Sequence, residues 1–324
     1  MCTAVTYLTK DFYFGRTLDI EYHFNETVTI TPKNFTFNFK KERALKSHYA
    51  IIGMATVEND YPLYYDAINE KGLCMAGLSF PQNACYQPFD YTMVNISPFE
   101  FIPYILSLCK SVKEAREYLK NLNLVDIPFN EKFPLSPLHF IISDKEESIT
   151  VEPLKDGLKI YDNPVGVLTN TPTFDIQLFN LNNYLSLSNK NPENTFSKKL
   201  ILDTYSRGMG ALGLPGDLSS CSRFVKAAFT KLNSVCESDE DSSISQFFHI
   251  LGSVCQQRGL VMTESDAFEL TLYTSCCNAN KGIYYYTTYE NNQISAVDMH
   301  KEDLDSAKLI SYPLILKQNI NRQN

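Results

Sequence analysis

Met1-Cys2-Thr3-Ala4-Val5-Thr6-Tyr7-Leu8 opens the chain, and Tyr13-Phe14-Gly15-Arg16-Thr17-Leu18-Asp19 follows across a Lys10-Asp11 turn. Thr3 to Leu8 alternates with period two, and Tyr13 to Leu18 reads as a second strand folded back on the first. Cysteine is small enough for the initiator methionine to be removed, which leaves an α-amine and a thiol on one residue. An α-amine titrates at ~7.7–8.0, so it can take the proton of its own side-chain nucleophile. A thiol asks less of that base than a hydroxyl does, because its pKa is about 8.5 and the thiolate is the reactive form. On position alone the ordinary reading, a small residue that starts a strand, is the stronger one.

Outward from this pair the strand pattern continues over Thr27 to Thr31, Ile51 to Val57, Leu63 to Asn69 and Leu73 to Phe80. Ser97-Pro98-Phe99-Glu100 then has the form of a capping box with proline at the first helical position, ahead of a helix over Phe101 to Leu108. Ser111 to Glu114 repeats the box and opens Val112 to Leu122. Strands return at Leu138 to Ser143, Ser148 to Glu152, Gly157 to Tyr161 and Val165 to Thr169. Helical patterns cover Asp175 to Leu185, Ser222 to Leu232 and Ser243 to Gln256. Strands end the series at Phe268 to Thr274, Gly282 to Tyr289 and Gln293 to Asp298, with Asn291-Asn292 at a hairpin turn. Strands first, helices between and strands again predict antiparallel sheets covered by helices rather than βαβ units. No internal repeat divides the chain, and a single domain over residues 1–324 is expected.

Composition excludes several classes. The 324 residues carry 29 basic and 37 acidic side chains, a net charge of −8 that argues against a nucleic-acid surface. Nine cysteines are an odd number, none are spaced as C-x-x-C, and a disulfide framework is not expected. The N-terminus lacks a basic region ahead of an apolar one, and Lys10 and Asp11 interrupt any leader pattern. The longest apolar stretch, Tyr49 to Val57, is far below the ~20 residues of a membrane span. A bacterial cytoplasmic protein without a signal peptide is the expectation. No G-x-S-x-G elbow, Walker loop, H-E-x-x-H or dinucleotide fingerprint is present. Gly208 to Gly216 lacks the lysine of a phosphate cradle and reads as a loop before a helix. The histidines at 23, 48, 139, 249 and 300 have no ligand-like spacing, so no metal site is expected.

Arg16 and Asp19 alter the weight given to Cys2. A buried arginine beside Cys2 would act on the pKa of both thiol and amine, and Asp19 could accept from the amine and orient it. The Gly15-Arg16-Thr17-Leu18-Asp19 run resembles the G-R-N-x-D pattern of the choloylglycine hydrolase family. That family includes bile salt hydrolases and penicillin V acylases, which are N-terminal-nucleophile amidohydrolases. Asp66-Ala67-Ile68-Asn69-Glu70-Lys71-Gly72-Leu73 contains a match to its N-E-K-G-L turn and resembles that segment. Leu168-Thr169-Asn170-Thr171-Pro172-Thr173-Phe174 resembles its L-T-N-x-P-x-F segment. Gly213-Leu214-Pro215-Gly216-Asp217 with Ser222-Arg223-Phe224 resembles G-L-P-G-D…S-R-F. The strings occur in the family's order over essentially the whole chain, and with them the nucleophile reading of Cys2 prevails.

The resemblance implies an α+β fold, a four-layer αββα sandwich of antiparallel sheets, with Met1 removed. It implies Cys2 as nucleophile and base, Arg16 and Asp19 holding the amine, and Arg223 completing the polar shell. Asn170 would donate its side-chain N–H to the oxyanion, and Ser79 its backbone N–H. The acyl pocket would fall on Leu18, Tyr65, Phe129, Phe133 and Leu138. Three departures stand out: Ser79 where bile salt hydrolases usually carry asparagine, Thr17 within G-R-N-x-D, and no tryptophan anywhere. A backbone donor survives a change of side chain, so Ser79 is compatible with catalysis and puts the glycine-versus-taurine preference in question. The implied reaction is hydrolysis of glycine- or taurine-conjugated bile acids through a thioester, with acyl transfer to amines as a side activity. No cofactor is implied, and the family is commonly tetrameric. A penicillin V acylase is the alternative within the same chemistry. A weakly catalytic protein that binds bile acids or acyl amides is the alternative from another class. A histidine-assisted cysteine hydrolase would require His139 or His249.

Overall fold

The computed structural model describes residues 1–324. Six strands come first: β1 (Cys2–Leu8), β2 (Phe12–Ile20), β3 (Thr27–Thr31), β4 (Ile51–Glu58), β5 (Tyr61–Asn69) and β6 (Cys74–Ser79). β7 (Val94–Ile96) leads into α1 (Pro98–Leu108) and α2 (Val112–Leu119). Next are β8 (Leu122–Leu124), β9 (Leu138–Ser143), β10 (Ser148–Leu154), β11 (Gly157–Asp162) and β12 (Val167–Leu168). Three helices follow, α3 (Phe174–Asn180), α4 (Ser220–Asn233) and α5 (Glu240–Gly252). The remaining strands are β13 (Val261–Met262), β14 (Phe268–Asn278), β15 (Ile283–Thr288), β16 (Ser295–Asp298) and β17 (Ile310–Pro313).

Fifteen of these strands form two antiparallel sheets, and β7 and β8 make a separate parallel pair. One runs β12-β1-β2-β14-β15-β16, with β13 attached to β14. The other runs β11-β10-β9-β6-β5-β4-β3-β17. β1 and β2 meet β6 across the interface, α4 and α5 cover the first sheet, and α1 covers the second. The result is the αββα sandwich. One core, which includes Tyr13, Phe14, Ile52 and Leu78, fills the space between the sheets and under α4 and α5. A second core, with Phe101, Ile105 and Phe140, lies under α1.

Local sequence accounts for most element ends. Glu100 is buried where it reaches back to the Ser97 N–H at 2.9 Å, so α1 begins at Pro98, earlier than the apolar run alone suggests. α2 stops at Leu119 rather than Leu122, because Leu122–Leu124 pairs in parallel with Val94–Ile96. β14 extends past Thr274 to Asn278, where Cys276 and Cys277 are buried against β15. β17 was not apparent in the sequence pattern: its residues alternate half-buried and exposed at the outer edge against β3. Gly15 is required by close approach, since a Cβ there would lie 2.0 Å from the Ser275 carbonyl oxygen of the adjacent strand β14.

Candidate active site

Pairing of β1 with β2 sets Cys2 opposite Leu18, Thr3 opposite Thr17 and Ala4 opposite Arg16. Because side chains alternate along a strand, Cys2, Arg16 and Leu18 share the face between the sheets. Thr3, Thr17 and Asp19 share the face toward the helices. Cys2 is buried at 3% exposure.

Arg16 lies fully inside. Its Nη1 donates to the carbonyls of Gly77 at 2.5 Å and Tyr65 at 3.1 Å, and its Nε donates to Thr17 O at 3.1 Å. Nη2 is buried without a partner. Burial alone would lower the guanidinium pKa, but Cys2, Tyr273, Asp66 and Asp19 outweigh it and hold the group above its ordinary value. Asp66 is fully buried on β5, near enough to Arg16 for each charge to act on the other. Its carboxylate accepts from Tyr273 at 2.6 Å, Tyr284 at 2.7 Å and Ser275 at 2.9 Å. Burial raises its pKa against the lowering effect of Arg16 and these three donors. In the sequence Asp66 has no role beyond its place in the Asp66 to Leu73 string, although it is one acid in the otherwise apolar run Leu63 to Ile68.

On the helix side, Arg223 reaches from the first turn of α4. Its Nη1 donates to Cys2 O at 2.5 Å and Thr3 Oγ1 at 2.6 Å, its Nη2 to Asn170 Oδ1 at 2.7 Å, and its Nε to Leu218 O at 2.9 Å. Burial lowers its pKa, outweighing Asp19, Cys2 and Glu269. Asn170 follows β12, which pairs with β1. Its Oδ1 accepts from the Cys2 N–H at 2.9 Å, and its Nδ2 donates to Ser79 O at 2.7 Å, leaving one Nδ2 hydrogen uncommitted.

Asp19 lies differently from expectation. Its carboxylate accepts from Thr271 at 2.6 Å and Thr17 at 3.0 Å, while Thr17 in turn accepts from the Thr3 N–H at 3.1 Å. The side chain therefore does not touch the Cys2 nitrogen. The register explains this, since the Asp19 N–H bonds Met1 O, which puts Asp19 opposite Met1 rather than Cys2. The Met1 amine donates to Asp19 O and to Glu269 Oε1, each at 2.5 Å. Burial raises the Glu269 pKa against the lowering effect of that amine. Thr271, which holds Asp19, sits on a strand whose alternation gives no reason to single it out.

The backbone of Ser79 has a defined direction. Phe80 N bonds Pro137 O, so the neighbouring Ser79–Leu138 pair is a non-bonded one in the β6–β9 ladder. Its N–H and C=O point away from β9, and the carbonyl meets Asn170 there. The N–H is aimed to the same side. His139 and His249 do not approach Cys2: His139 is buried against Glu152 and Thr169, and His249 is exposed on α5.

A cavity of about 480 Å³ lies beside Arg16, and Tyr65 and Gly77, whose carbonyls hold that arginine, form part of its wall. Tyr65, Phe129, Phe133 and Leu138 line it, together with Phe24 and Phe99 among others. Leu18 does not. It packs in the core between the sheets, directly across from Cys2, so the expected acyl pocket loses that one member. No group of three or more His, Cys, Asp or Glu side chains is arranged to hold a metal ion.

A family model for linear amide C–N hydrolases of the choloylglycine hydrolase family matches residues 2–312. The chain belongs to this family. It is similar to a bile salt hydrolase/transferase of Lactiplantibacillus plantarum, 59% identical over 97% of each chain. A bile salt hydrolase/transferase of Clostridium perfringens is 44% identical over the full length of both. Crystal structures of conjugated bile acid hydrolase from Clostridium perfringens superpose with a TM-score of 0.92 at 42% identity over 100% of each chain. A penicillin V acylase from Agrobacterium tumefaciens shares the fold, with a TM-score of 0.74 at 20% identity over 96% of this chain and 90% of that one. Family membership thus agrees with a strand-initial cysteine held between two arginines and an asparagine.

Proposed function

We propose that this choloylglycine hydrolase-family protein cleaves the amide of glycine- or taurine-conjugated bile acids through a Cys2 thioester. The observation that carries the reading is Cys2 on the inter-sheet face with Arg16, whose guanidinium is held by the wall of an apolar cavity. A volume of about 480 Å³ falls within the range for small-molecule sites, and a rigid apolar acyl group suits aromatic walls. Loss of Met1 frees the Cys2 amine, which takes the thiol proton and later gives it to the departing amino acid. Thiolate attack on the amide carbonyl places negative charge on its oxygen. The uncommitted Asn170 hydrogen and the Ser79 N–H are the donors for that charge. Arg16 supports the thiolate, Arg223 fixes Asn170 and the Cys2 carbonyl, and Asp19 steadies the strand end through Thr17. Water then hydrolyses the thioester; an amine in its place would receive the acyl group.

The protein acts as one domain over residues 1–324, in the bacterial cytoplasm. No helix is long and apolar enough to cross a membrane. Self-association as a homotetramer accords with the segment after α3, where Leu185, Phe196, Ile201 and Tyr205 are each more than 80% exposed.

The test is release of glycine or taurine from glycocholate and taurocholate, with penicillin V alongside, for wild type and Cys2→Ala. Intact mass establishes that Met1 is absent from the material assayed. Conjugate hydrolysis that disappears in Cys2→Ala is the expected result. Dominant penicillin V turnover would replace the substrate assignment. Conjugate binding without turnover, retained in Cys2→Ala, would replace the enzyme with a binding protein.

A further inference from the structure

We infer that the buried His139–Glu152 pair, with donor hydrogens on both imidazole nitrogens, is a positioning unit that aligns the two oxyanion donors; this rests on the proposed function. His139 lies on β9 and is fully buried, as is Glu152 on β10. Nε2 is 3.0 Å from Thr169 O, and Nδ1 is 3.1 Å from Glu152 Oε1. The same Glu152 oxygen accepts the Phe174 N–H at 3.0 Å. Asn170 is therefore in a segment pinned at both ends by one ion pair, at Thr169 before it and at Phe174 after it.

The second donor is tied to the same ring. His139 stands opposite Leu78, the residue before Ser79, and stacks on Phe80, the residue after it, at 4.1 Å and 8° between planes. One imidazole thus touches the neighbours of both Asn170 and Ser79 while contacting neither Cys2 nor the cavity.

Proton counting follows from the acceptors. A carbonyl oxygen carries no hydrogen, and a carboxylate accepts only. A neutral imidazole has one N–H, which would leave the other nitrogen's lone pair facing an oxygen lone pair in a site without solvent. The pair must hold one proton on Nε2 and a second along the Nδ1–Oε1 contact, and because Oε1 also accepts the Phe174 N–H we place that second proton on Nδ1. Its charges cancel, which is the condition for keeping it buried. Glu152→Gln preserves shape but removes the charge that keeps the second proton.

The experiment combines ¹⁵N-edited NMR of the imidazole groups with kinetics and Cys2 alkylation by iodoacetamide. Wild type should show two slowly exchanging ring N–H signals for His139, assigned by their loss in His139→Gln. Glu152→Gln should show one, with kcat for glycocholate reduced by roughly 10²-fold, KM little changed, and alkylation of Cys2 at the wild-type rate. If Glu152→Gln does not fold, His139→Gln carries the same kinetic comparison. A single ring N–H in wild type overturns the inference. So does full kcat in a folded variant, or a loss of turnover matched by slowed alkylation. Absence of wild-type turnover with two N–H signals present would overturn the hydrolase reading instead.

Discussion

Two buried arginines meet the Cys2 strand from opposite faces, and their surroundings differ in kind. Arg223, on the helix side, spends its guanidinium on Cys2 O, Thr3, Asn170 and Leu218 O. The Arg16 guanidinium, between the sheets, bonds only main-chain carbonyls and keeps Nη2 free of any partner. Burial prevails at Arg223 and lowers its pKa, whereas Cys2, Tyr273, Asp66 and Asp19 prevail at Arg16 and raise it. One arginine is committed to holding the strand and its asparagine. The other keeps donor capacity and charge on the side of the thiol and the cavity. Cys2, the proposed nucleophile, therefore sits at a boundary between a half that fixes the strand and a half that keeps a free donor.

Arg16→Leu should break this division most severely. It removes the charge beside the thiol and the nearby cation that favours the ionised form of buried Asp66. Turnover of glycocholate should fall by at least about 10³-fold, and the denaturant midpoint should drop with it. Arg16→Leu combined with Asp66→Asn should recover part of the midpoint and none of the activity. Recovery of activity in the double variant would mean that Arg16 acts only through folding.

Asn170→Ala comes next. It removes the proposed oxyanion donor and the acceptor for both the Cys2 N–H and Arg223, and kcat should fall by about 10²–10³-fold. Ser79→Ala should stay within a few-fold of wild type, since the backbone N–H is retained. Ser79→Pro, which deletes that N–H, should resemble Asn170→Ala. Equal losses in Ser79→Ala and Ser79→Pro would move the role from the backbone to the hydroxyl.

Phe129→Ala should affect the cavity alone. Truncating one wall removes apolar contact made alike in ground and transition states, so KM for glycocholate should rise by about tenfold with kcat little changed. A fall in kcat of the same size would show that the wall orients the scissile amide.

The same contrast governs what could be read from sequence. Cys2, Arg16, Asn170 and Arg223 fall in short strings that stand out in the sequence, and the structure brings all four together, the first three through strand pairing and Arg223 from α4. Strand alternation cannot say where a carboxylate points once two sheets are stacked. Asp19 looked like a direct partner of the Cys2 nitrogen, but the strand register turned it to Thr17 and Thr271. Asp66 acts across the two sheets through Tyr273, Ser275 and Tyr284, and no local pattern reports that. Cavity residues on the loop carrying Phe129 and Phe133 are legible only as apolar residues. Leu18 shows the limit, because core and pocket demand the same residue type.

Lys231 extends the comparison along α4 and carries the smallest expected effect. Like Arg223 it is a cation without a carboxylate partner. Its Nζ donates to Thr6 Oγ1 at 2.8 Å and Val165 O at 2.5 Å, and burial lowers its pKa from 10.5 to about 8. A guanidinium keeps its proton under such pressure, but an amine can release it. Between pH 8 and 10.5 the unfolded lysine still holds a proton that the folded one has lost. Stability supplied through this group therefore rises with pH across that window and is lowest on its acid side. Buried tyrosines and cysteines such as Tyr284 and Cys277, whose pKa values burial raises, pull the opposite way. The difference between wild type and Lys231→Met at each pH isolates the lysine. Wild type should gain about 1–2 kcal/mol on the variant between pH 8 and 10 in urea titrations. A constant difference would mean that Lys231 stays charged in the fold, as Arg223 does.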